Sequence, residues 1–122
     1  MKVLVVDDSA VMRKVLIGAL VQAGIKDVTQ ASDGTEAVDM VGKEQFDLVL
    51  MDWNMPNMLG IEAVKEIRAN GSKTPVIMVT TEAEKSRVIE ALKAGANNYV
   101  IKPFQADTIV SKIRETLEKT TA

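Results

Sequence analysis

The 122-residue sequence contains no cysteine and no histidine. The lack of cysteine excludes disulfides and thiol chemistry. The lack of histidine removes the commonest general base and the commonest transition-metal ligand. The net charge of −2 gives no general attraction to nucleic acid or to a membrane surface. Any metal ion that this chain binds must therefore be held by oxygen ligands.

The sequence also lacks an apolar run long enough to span a membrane, and Met1 and Lys2 lead directly into a predicted strand rather than a signal peptide. We therefore expect a cytoplasmic protein. No repeat, low-complexity tract or linker divides the chain, so we predict a single domain over residues 1–122. Apolar residues make up 47% of the sequence, which is enough for a hydrophobic core.

Five short, mostly apolar stretches alternate with five stretches of helical periodicity. The predicted strands are 3–6, 28–31, 48–51, 76–79 and 99–101. Such alternation predicts an α/β fold with a parallel sheet and helices on both faces. The first, third and fourth strands are the most apolar and belong in the centre, whereas Thr29 and Gln30 place the second at an edge. One order that satisfies these placements is 2-1-3-4-5.

Polar side chains follow four of these strands where each strand ends. They are Asp7 and Asp8 after the first strand, Asp52 after the third, Thr80 after the fourth and Lys102 after the fifth. The carboxyl ends of parallel strands line the crevice where such folds bind ligands. One such residue alone would be interpreted as a helix cap or a solvated loop residue, but five together indicate a functional site.

The chemistry of these residues indicates a phosphoryl-transfer site. Three neighbouring carboxylates repel one another unless a cation neutralises them, and oxygen ligands favour Mg²⁺, Mn²⁺ or Ca²⁺. Mg²⁺ commonly binds carboxylates together with phosphate oxygens, so a phosphoryl group is the expected second component. A carboxylate can accept that group as an acyl phosphate, with Lys102 and the Thr80 hydroxyl pairing with its oxygens.

Four segments of the chain carry a resemblance to a known family. They resemble the motifs of the receiver domain of two-component response regulators, in the same order and spacing, and they are Val5–Asp8, Met51–Met58, Met78–Thr80 and Tyr99–Phe104. The resemblance covers the whole chain and implies the flavodoxin-like receiver fold. Leu59 departs from the pattern, because related sequences often have aspartate before the glycine at this point.

The resemblance implies a role for each residue of the site. Asp52 is expected to be the phosphoacceptor, and Lys102 is expected to contact the phosphoryl group. Asp8 and Asp52 are expected to bind Mg²⁺ directly, Asp7 largely through water, and Asn54 through its backbone carbonyl.

The resemblance also implies a switch and an output surface. Thr80 would be the switch hydroxyl and Tyr99 the aromatic side chain that reorients, while the Lys102–Pro103 peptide is expected to be cis. The fourth helix is apolar over a wide arc, so we expect Val88 to be left outside the core. Val88, Tyr99 and Lys112 are the predicted contacts for a protein target.

The implied partners follow from the same resemblance. A CheA-like histidine kinase would donate the phosphoryl group, and the flagellar motor switch protein of chemotaxis, or another protein, would be the target. A phosphatase is a further expected partner, whereas nucleic acid and membrane are not, and the chain is expected to be a monomer. The protein would be a phosphoacceptor with self-catalysed phosphorylation and dephosphorylation rather than an enzyme.

Three alternatives remain open at this stage. The chain could be a stand-alone or excised receiver of a non-chemotaxis pathway, since it ends at residues 120–122 with no DNA-binding segment. An aspartate-nucleophile phosphatase would place an Asp-x-Asp pair after its first strand, whereas here the expected acceptor follows the third strand and only Asn54 stands two residues on. A flavodoxin-type domain would need a phosphate loop rich in serine, threonine and glycine after its first strand, whereas Asp7 and Asp8 stand there and would repel a phosphate.

Two further expectations concern the surroundings of the site. Trp53 is expected to be partly exposed beside the acceptor, because it follows Asp52 and precedes a turn. Lys85, Arg87 and Lys93 are expected to form a solvated helix face rather than a nucleic-acid patch.

Overall fold

The computed structural model describes residues 1–121, and within them five strands alternate with five helices. The elements are β1 (Lys2–Val6), α1 (Ala10–Gln22), β2 (Asp27–Ala31), α2 (Gly34–Lys43), β3 (Leu48–Met51), α3 (Gly60–Ala69), β4 (Val76–Thr80), α4 (Lys85–Ala94), β5 (Asn98–Ile101) and α5 (Ala106–Thr121). Ala122, the last residue of the predicted domain, lies outside the described residues. No helix within residues 1–121 is both long and apolar enough to cross a membrane.

The predicted parallel sheet and its strand order, β2-β1-β3-β4-β5, are confirmed. The chain leaves β1 towards β2 in one direction and leaves β3 towards β4 in the other. The crevice at the carboxyl ends of the sheet therefore opens between β1 and β3, as parallel α/β folds require. Val6 and Met51 are register partners, so the residues that follow these two strands lie side by side.

The strands are continuously apolar because both faces of the sheet are covered. Val3 and Val5 pack in one cluster with α1 and α5, whereas Leu4 and Val6 pack in the other with α2, α3 and α4. Alternate residues of one strand thus belong to opposite cores. This two-sided burial fixes the strands firmly and leaves their polar terminal residues at the rim of the crevice.

Helix α3 begins without a side-chain cap, and Leu59 is the reason. Leu59 is the residue before the helix, and its backbone N–H donates to Glu62 Oε1 at 2.9 Å, but its own side chain offers no acceptor in return. Only half of a capping box is therefore formed. The departure from the family pattern noted in the sequence falls on this helix cap and not on the acidic cluster.

We expect Leu59→Asp to stabilise the protein by about 1 kcal/mol, because a carboxylate at this position can accept a backbone N–H of the first helical turn. The Leu59 side chain is 39% exposed, so little apolar burial is lost. Urea denaturation measures the free energy of unfolding. Leu59→Ala is the control, since it shortens the side chain without adding an acceptor, and equal stabilities of the two variants would argue against the missing cap.

Candidate functional site

Three carboxylates meet at the carboxyl ends of β1 and β3. Asp7, Asp8 and Asp52 each offer an oxygen, and these oxygens lie within 4.8 Å of one another. Asp7 and Asp52 are buried, whereas Asp8 is exposed. The predicted meeting of these residues is thus observed, and it follows from the pairing of β1 with β3.

Asp7 is held at both carboxylate oxygens. The backbone N–H of Ser9 donates to Oδ1 at 2.8 Å, and Lys102 Nζ donates to Oδ2 at 2.8 Å. Arg13 Nη1 donates to the backbone carbonyl of Asp7 at 2.6 Å. Lys102 also lies 3.5 Å from Asp52 Oδ1, so its ammonium group bridges the two buried carboxylates. This bridge brings the fifth strand into the site, as the sequence predicts.

Asp52 remains less neutralised than Asp7. The Trp53 backbone N–H donates to its Oδ1 at 2.8 Å. Burial raises the pKa of the Asp52 carboxyl, and the negative charge of Asp7 raises it further, whereas the positive charge of Lys102 acts in the opposite direction. Gly60 is essential to this arrangement, because a side chain there would overlap the Asp52 carbonyl oxygen.

The donor set at this cluster fits a hard divalent cation. Asp7, Asp8 and Asp52 supply carboxylate oxygens, which are the ligands that Mg²⁺ and Ca²⁺ prefer. Their like charges also make a cation favourable, because the single nearby ammonium of Lys102 cannot balance three carboxylates. The residues present therefore fit the predicted divalent cation.

We expect Asp52→Asn to raise the melting temperature of the metal-free protein by a few degrees at neutral pH. A raised folded-state pKa contributes stability below the unfolded value of about 4, and this stability is lost as the pH rises through the folded-state pKa. Asparagine does not titrate, so the variant keeps it. The advantage over wild type should shrink on acidification, as measured by thermal melts in chelator from pH 3 to 8.

The added cation should reverse this ranking. A cation at roughly ten times its dissociation constant stabilises the wild-type fold by about 1.4 kcal/mol through linkage, and Asp52→Asn removes one ligand. A metal-free variant that melts below wild type at pH 7 would contradict the repulsion among the carboxylates.

The predicted switch residues are tied together through the loop after β4. Thr80 is fully buried, and its Oγ1 accepts the Glu82 backbone N–H at 3.2 Å. The Tyr99 hydroxyl donates to the Glu82 carbonyl at 2.6 Å, and Asn54 Nδ2 donates to Glu82 Oε1 at 3.3 Å. Burial raises the pKa of Tyr99 to about 12. Glu82 therefore links the ends of β3 and β4 to β5. Its role could not be predicted from the sequence, because nothing in the local pattern distinguishes it from a surface glutamate.

The Lys102–Pro103 peptide is cis, as expected from the resemblance. The expectation for Trp53, in contrast, was wrong, because its side chain is only 4% exposed and belongs to the core on the α2–α4 side. The guanidinium carbon of Arg87 lies 5.7 Å from the Trp53 ring centroid. Arg87 is therefore not simply part of a solvated helix face with Lys85 and Lys93, because it reaches from α4 to the residue after Asp52.

The predicted output residues lie differently from the expectation. Val88 is partly buried and packs against the core, and Tyr99 is buried, so neither is left outside. The exposed large apolar side chains of α4 and β5 are Ile89 at 42%, Leu92 at 47% and Ile101 at 43%, which we call the α4–β5 surface. The helical periodicity identified the wide apolar arc but could not show which side of it the sheet covers. Lys112 is partly buried on α5, and its Nζ lies 3.8 Å from Glu115 Oε2.

Comparison with known proteins agrees with this geometry. Residues 3–114 match the family model described as the response regulator receiver domain. The chain is 47% identical to a Campylobacter jejuni protein named a chemotaxis protein CheY homolog, covering 96% of this chain and 92% of that one. It is 41% identical to the chemotaxis protein CheY of Pseudomonas aeruginosa, covering 98% of both chains.

Solved structures agree with the fold as well. The receiver domain of the Francisella response regulator 1452 matches 98% of both chains with a TM-score of 0.90 and 33% identity. Vibrio cholerae CheY4 matches with a TM-score of 0.87 and 37% identity, covering 94% of this chain and 97% of that one. The family model covers nearly the whole chain, and the relatives are similar over almost all of their length, so this chain belongs to the response regulator receiver domain family and resembles CheY.

Proposed function

We propose that this chain is a phosphorylation-activated signalling switch in which Asp52 accepts a phosphoryl group from a histidine kinase. The observation that carries the proposal is the position of the Asp52 carboxylate. It lies in a cluster with Asp7 and Asp8 and within 3.5 Å of the Lys102 ammonium group. A nucleophile, candidate cation ligands and a fixed positive charge are thus gathered at one point, which is what phosphoryl transfer requires.

The hydrogen bonds of Asp52 indicate which oxygen attacks. Oδ1 is engaged by the Trp53 backbone N–H, which leaves Oδ2 as the nucleophile. Oδ2 forms the new bond to phosphorus, and the bond between phosphorus and the donor atom breaks, so that an acyl phosphate is formed. Lys102 can exchange its contact with Asp7 for a phosphoryl oxygen, and the Thr80 hydroxyl can give up its contact with Glu82 to approach another.

The metal of this site is proposed to be Mg²⁺. Asp8 and Asp52 would hold it directly, Asp7 through water and Asn54 through its backbone carbonyl. Mg²⁺ at this position would neutralise the carboxylates and the charge that develops on the transferring phosphoryl oxygens. We class the chain as a phosphoacceptor with self-catalysed phosphorylation and dephosphorylation, and not as an enzyme that acts on other molecules.

The output is proposed to be a change in protein binding. Movement of Thr80 towards the phosphoryl group would release Glu82, to which Tyr99 is bonded, and so bias the loop that leads into α4. The proposed contacts for the target are the α4–β5 surface and Lys112 of α5, and the α4–β5 surface takes the place of Val88, which packs against the core.

The relatives named as chemotaxis proteins support a place in chemotaxis for this chain. We propose a CheA-like histidine kinase as donor, the flagellar motor switch protein as target and a phosphatase as a further partner, with the chain acting as a monomer in the cytoplasm. A receiver of a non-chemotaxis pathway is the alternative, since it would share the same acceptor site. Binding to a flagellar-switch peptide distinguishes the two.

The test of the proposal is phosphorylation by acetyl phosphate, followed by the intact mass of the protein. We expect one added phosphoryl mass when Mg²⁺ is present and none when a chelator replaces it. An increase in mass that is equal with and without the metal would refute the role assigned to the cation, and the absence of any increase under both conditions would refute the acceptor.

We expect Thr80→Ala to accept the phosphoryl group but to lose most of the gain in target affinity that phosphorylation produces, on the order of tenfold. The variant removes the hydroxyl that would respond to the phosphoryl oxygens while leaving Asp52 in place. Affinity for a flagellar-switch peptide, measured with and without beryllofluoride, provides the comparison. Thr81→Ala is the matched control, because this neighbouring threonine is exposed. A normal gain in Thr80→Ala would exclude Thr80 as the switch.

A further inference from the structure

Helix α4 packs on the core through the buried Ala91 and the partly buried Val88 and Ala94. Of its ten residues, all of which are described, Ala91 alone is buried. Its first turn contains Lys85 and Arg87 and no acidic residue, so two positive charges face the positive end of the helix dipole. The side chain of Glu84, which precedes the helix, makes no capping hydrogen bond within residues 1–121. The beginning of α4 therefore depends on contacts made outside its own turn.

Arg87 provides such a contact. Its guanidinium group lies over the Trp53 ring at 5.7 Å from the centroid, and its Nη1 donates to Glu90 Oε1 at 3.0 Å. The Glu90 contact holds the side chain along the helix, and the Trp53 contact attaches the helix to the residue directly after Asp52. Arginine over tryptophan is a favourable cation–π arrangement, and the ring is almost wholly desolvated.

We propose that Arg87 is a positioning residue that makes α4 follow the acceptor loop, which is the segment 52–59 between β3 and α3. This inference rests on the proposed function, since it assumes that occupation of the Asp52 site moves the loop. Trp53 moves with Asp52 because its backbone N–H is bonded to the Asp52 side chain at 2.8 Å. Arg87 passes that movement to α4 directly, through its contact with the Trp53 ring.

The charge of Arg87 also acts on a second residue of this region. Its charge acts on the Tyr99 hydroxyl and opposes the rise in the pKa of Tyr99 that burial causes. Arg87 thus contacts the acceptor loop through Trp53 and acts on the aromatic side chain of β5 through its charge. A positive charge at this point is sensitive to changes at both, whereas the exposed Lys85 in the same turn has neither contact described for Arg87.

The test uses beryllofluoride with Mg²⁺ as the phosphoryl mimic and two readouts on the full chain. Amide chemical shifts of Leu92 and Lys93 report on α4, and emission of Trp53, the single tryptophan of the sequence, reports on the acceptor loop. Wild type is compared with Arg87→Gln, with Arg87→Lys, which keeps the charge, and with Lys85→Gln as the matched control. Trp53→Leu removes the same contact from the other side and is followed by the amide shifts alone.

We expect Arg87→Gln to bind beryllofluoride with an affinity within about threefold of wild type. The change that beryllofluoride causes in the amide shifts of α4 should fall to about a fifth of the wild-type change or less, because coupling between sites typically amounts to a factor of about five or more. Trp53→Leu should show the same loss, Lys85→Gln should match wild type, and Arg87→Lys should recover part of the response. In Arg87→Gln, the Trp53 emission should also move to longer wavelength before beryllofluoride is added, because the guanidinium group no longer lies over the ring.

Three outcomes would overturn the inference. These are α4 shifts in Arg87→Gln equal to those of wild type, equal losses in Arg87→Gln and Arg87→Lys, or a normal α4 response in Trp53→Leu. If Arg87→Gln fails to fold, Trp53→Leu decides alone. A wild-type protein that does not bind beryllofluoride at all would refute the proposed function and this inference with it. A wild type that binds it, together with variants that respond normally, would refute the inference about Arg87 alone.

Discussion

Replacing Asp52 with asparagine is expected to reduce phosphoryl uptake from acetyl phosphate at least about a hundredfold, to a level that intact mass cannot detect. The amide keeps the shape of the side chain and the acceptor for the Trp53 N–H, but it is not a nucleophile. Lys102, Asp7 and the fold remain, so a loss of uptake reports on the chemistry of one oxygen.

Asp27→Asn is the matched control for this prediction. Asp27 is an exposed aspartate at the amino end of β2, whereas the site lies at the carboxyl ends of the strands, and the variant should be labelled like wild type. Equal labelling of Asp52→Asn and wild type would show that another residue accepts the phosphoryl group. A second useful variant is Lys102→Ala, which should still bind the cation but accept the phosphoryl group poorly.

The second large effect concerns stability, and it arises at Arg68 on α3. Its Nε and Nη2 donate to the Gly95 carbonyl at 3.1 and 2.9 Å, and Nη2 also donates to Asn97 Oδ1 at 3.0 Å. Its Nη1 donates to the carbonyls of Ser72 at 3.1 Å and Thr74 at 2.8 Å. One guanidinium group thus joins the end of α3, the loop before β4 and the segment between α4 and β5.

We expect Arg68→Ala to destabilise the fold by about 3 kcal/mol and to lower the melting temperature by about 10 °C, because several partly buried carbonyls lose their donor. Burial lowers the pKa of Arg68, but a guanidinium stays charged at any pH used for folding experiments. Urea denaturation gives the free energy of unfolding. Arg68→Lys should recover only a part of the loss, since one ammonium group cannot reproduce the planar fork.

The exposed Arg114 of α5 provides the control for charge and length. Arg114→Ala should change the free energy of unfolding by less than about 0.5 kcal/mol, as surface substitutions usually do. A cost below about 1 kcal/mol for Arg68→Ala would mean that water replaces the guanidinium at these carbonyls. Gly95 belongs to the same unit, because its φ of +116° and its contact with the Arg68 side chain both disfavour any larger residue.

The sheet and its order could be predicted from the sequence because both of its faces are covered. Unbroken apolar runs such as Leu48–Met51 have no other stable place in a small domain, and the polar residues of β2 assign it to an edge. The meeting of Asp7, Asp8 and Asp52 followed from the same logic, since residues after adjacent parallel strands must be neighbours. Backbone pairing alone determines these features.

The features that the sequence could not predict depend on side chains that reach across the fold. Trp53 is buried because it packs in the core on the α2–α4 side, with Arg87 of α4 over its ring, and periodicity contains no information on those contacts. Val88 packs inward while Ile89 and Leu92 remain outside because the sheet covers only part of a nearly continuous apolar arc. Arg68 looks like an ordinary surface arginine of an amphipathic helix, since its carbonyl partners lie outside that helix, in the loop that follows it and at Gly95 beyond α4.

The most direct test of the central claim is to identify the modified atom itself. Borohydride reduces an acyl phosphate to an alcohol, so treatment of the phosphorylated protein followed by peptide mass spectrometry should convert residue 52 from aspartate to homoserine, and only when Mg²⁺ was present during phosphorylation. Homoserine at another aspartate, or its absence from a protein that has gained a phosphoryl mass, would contradict the assignment of Asp52 as the phosphoacceptor.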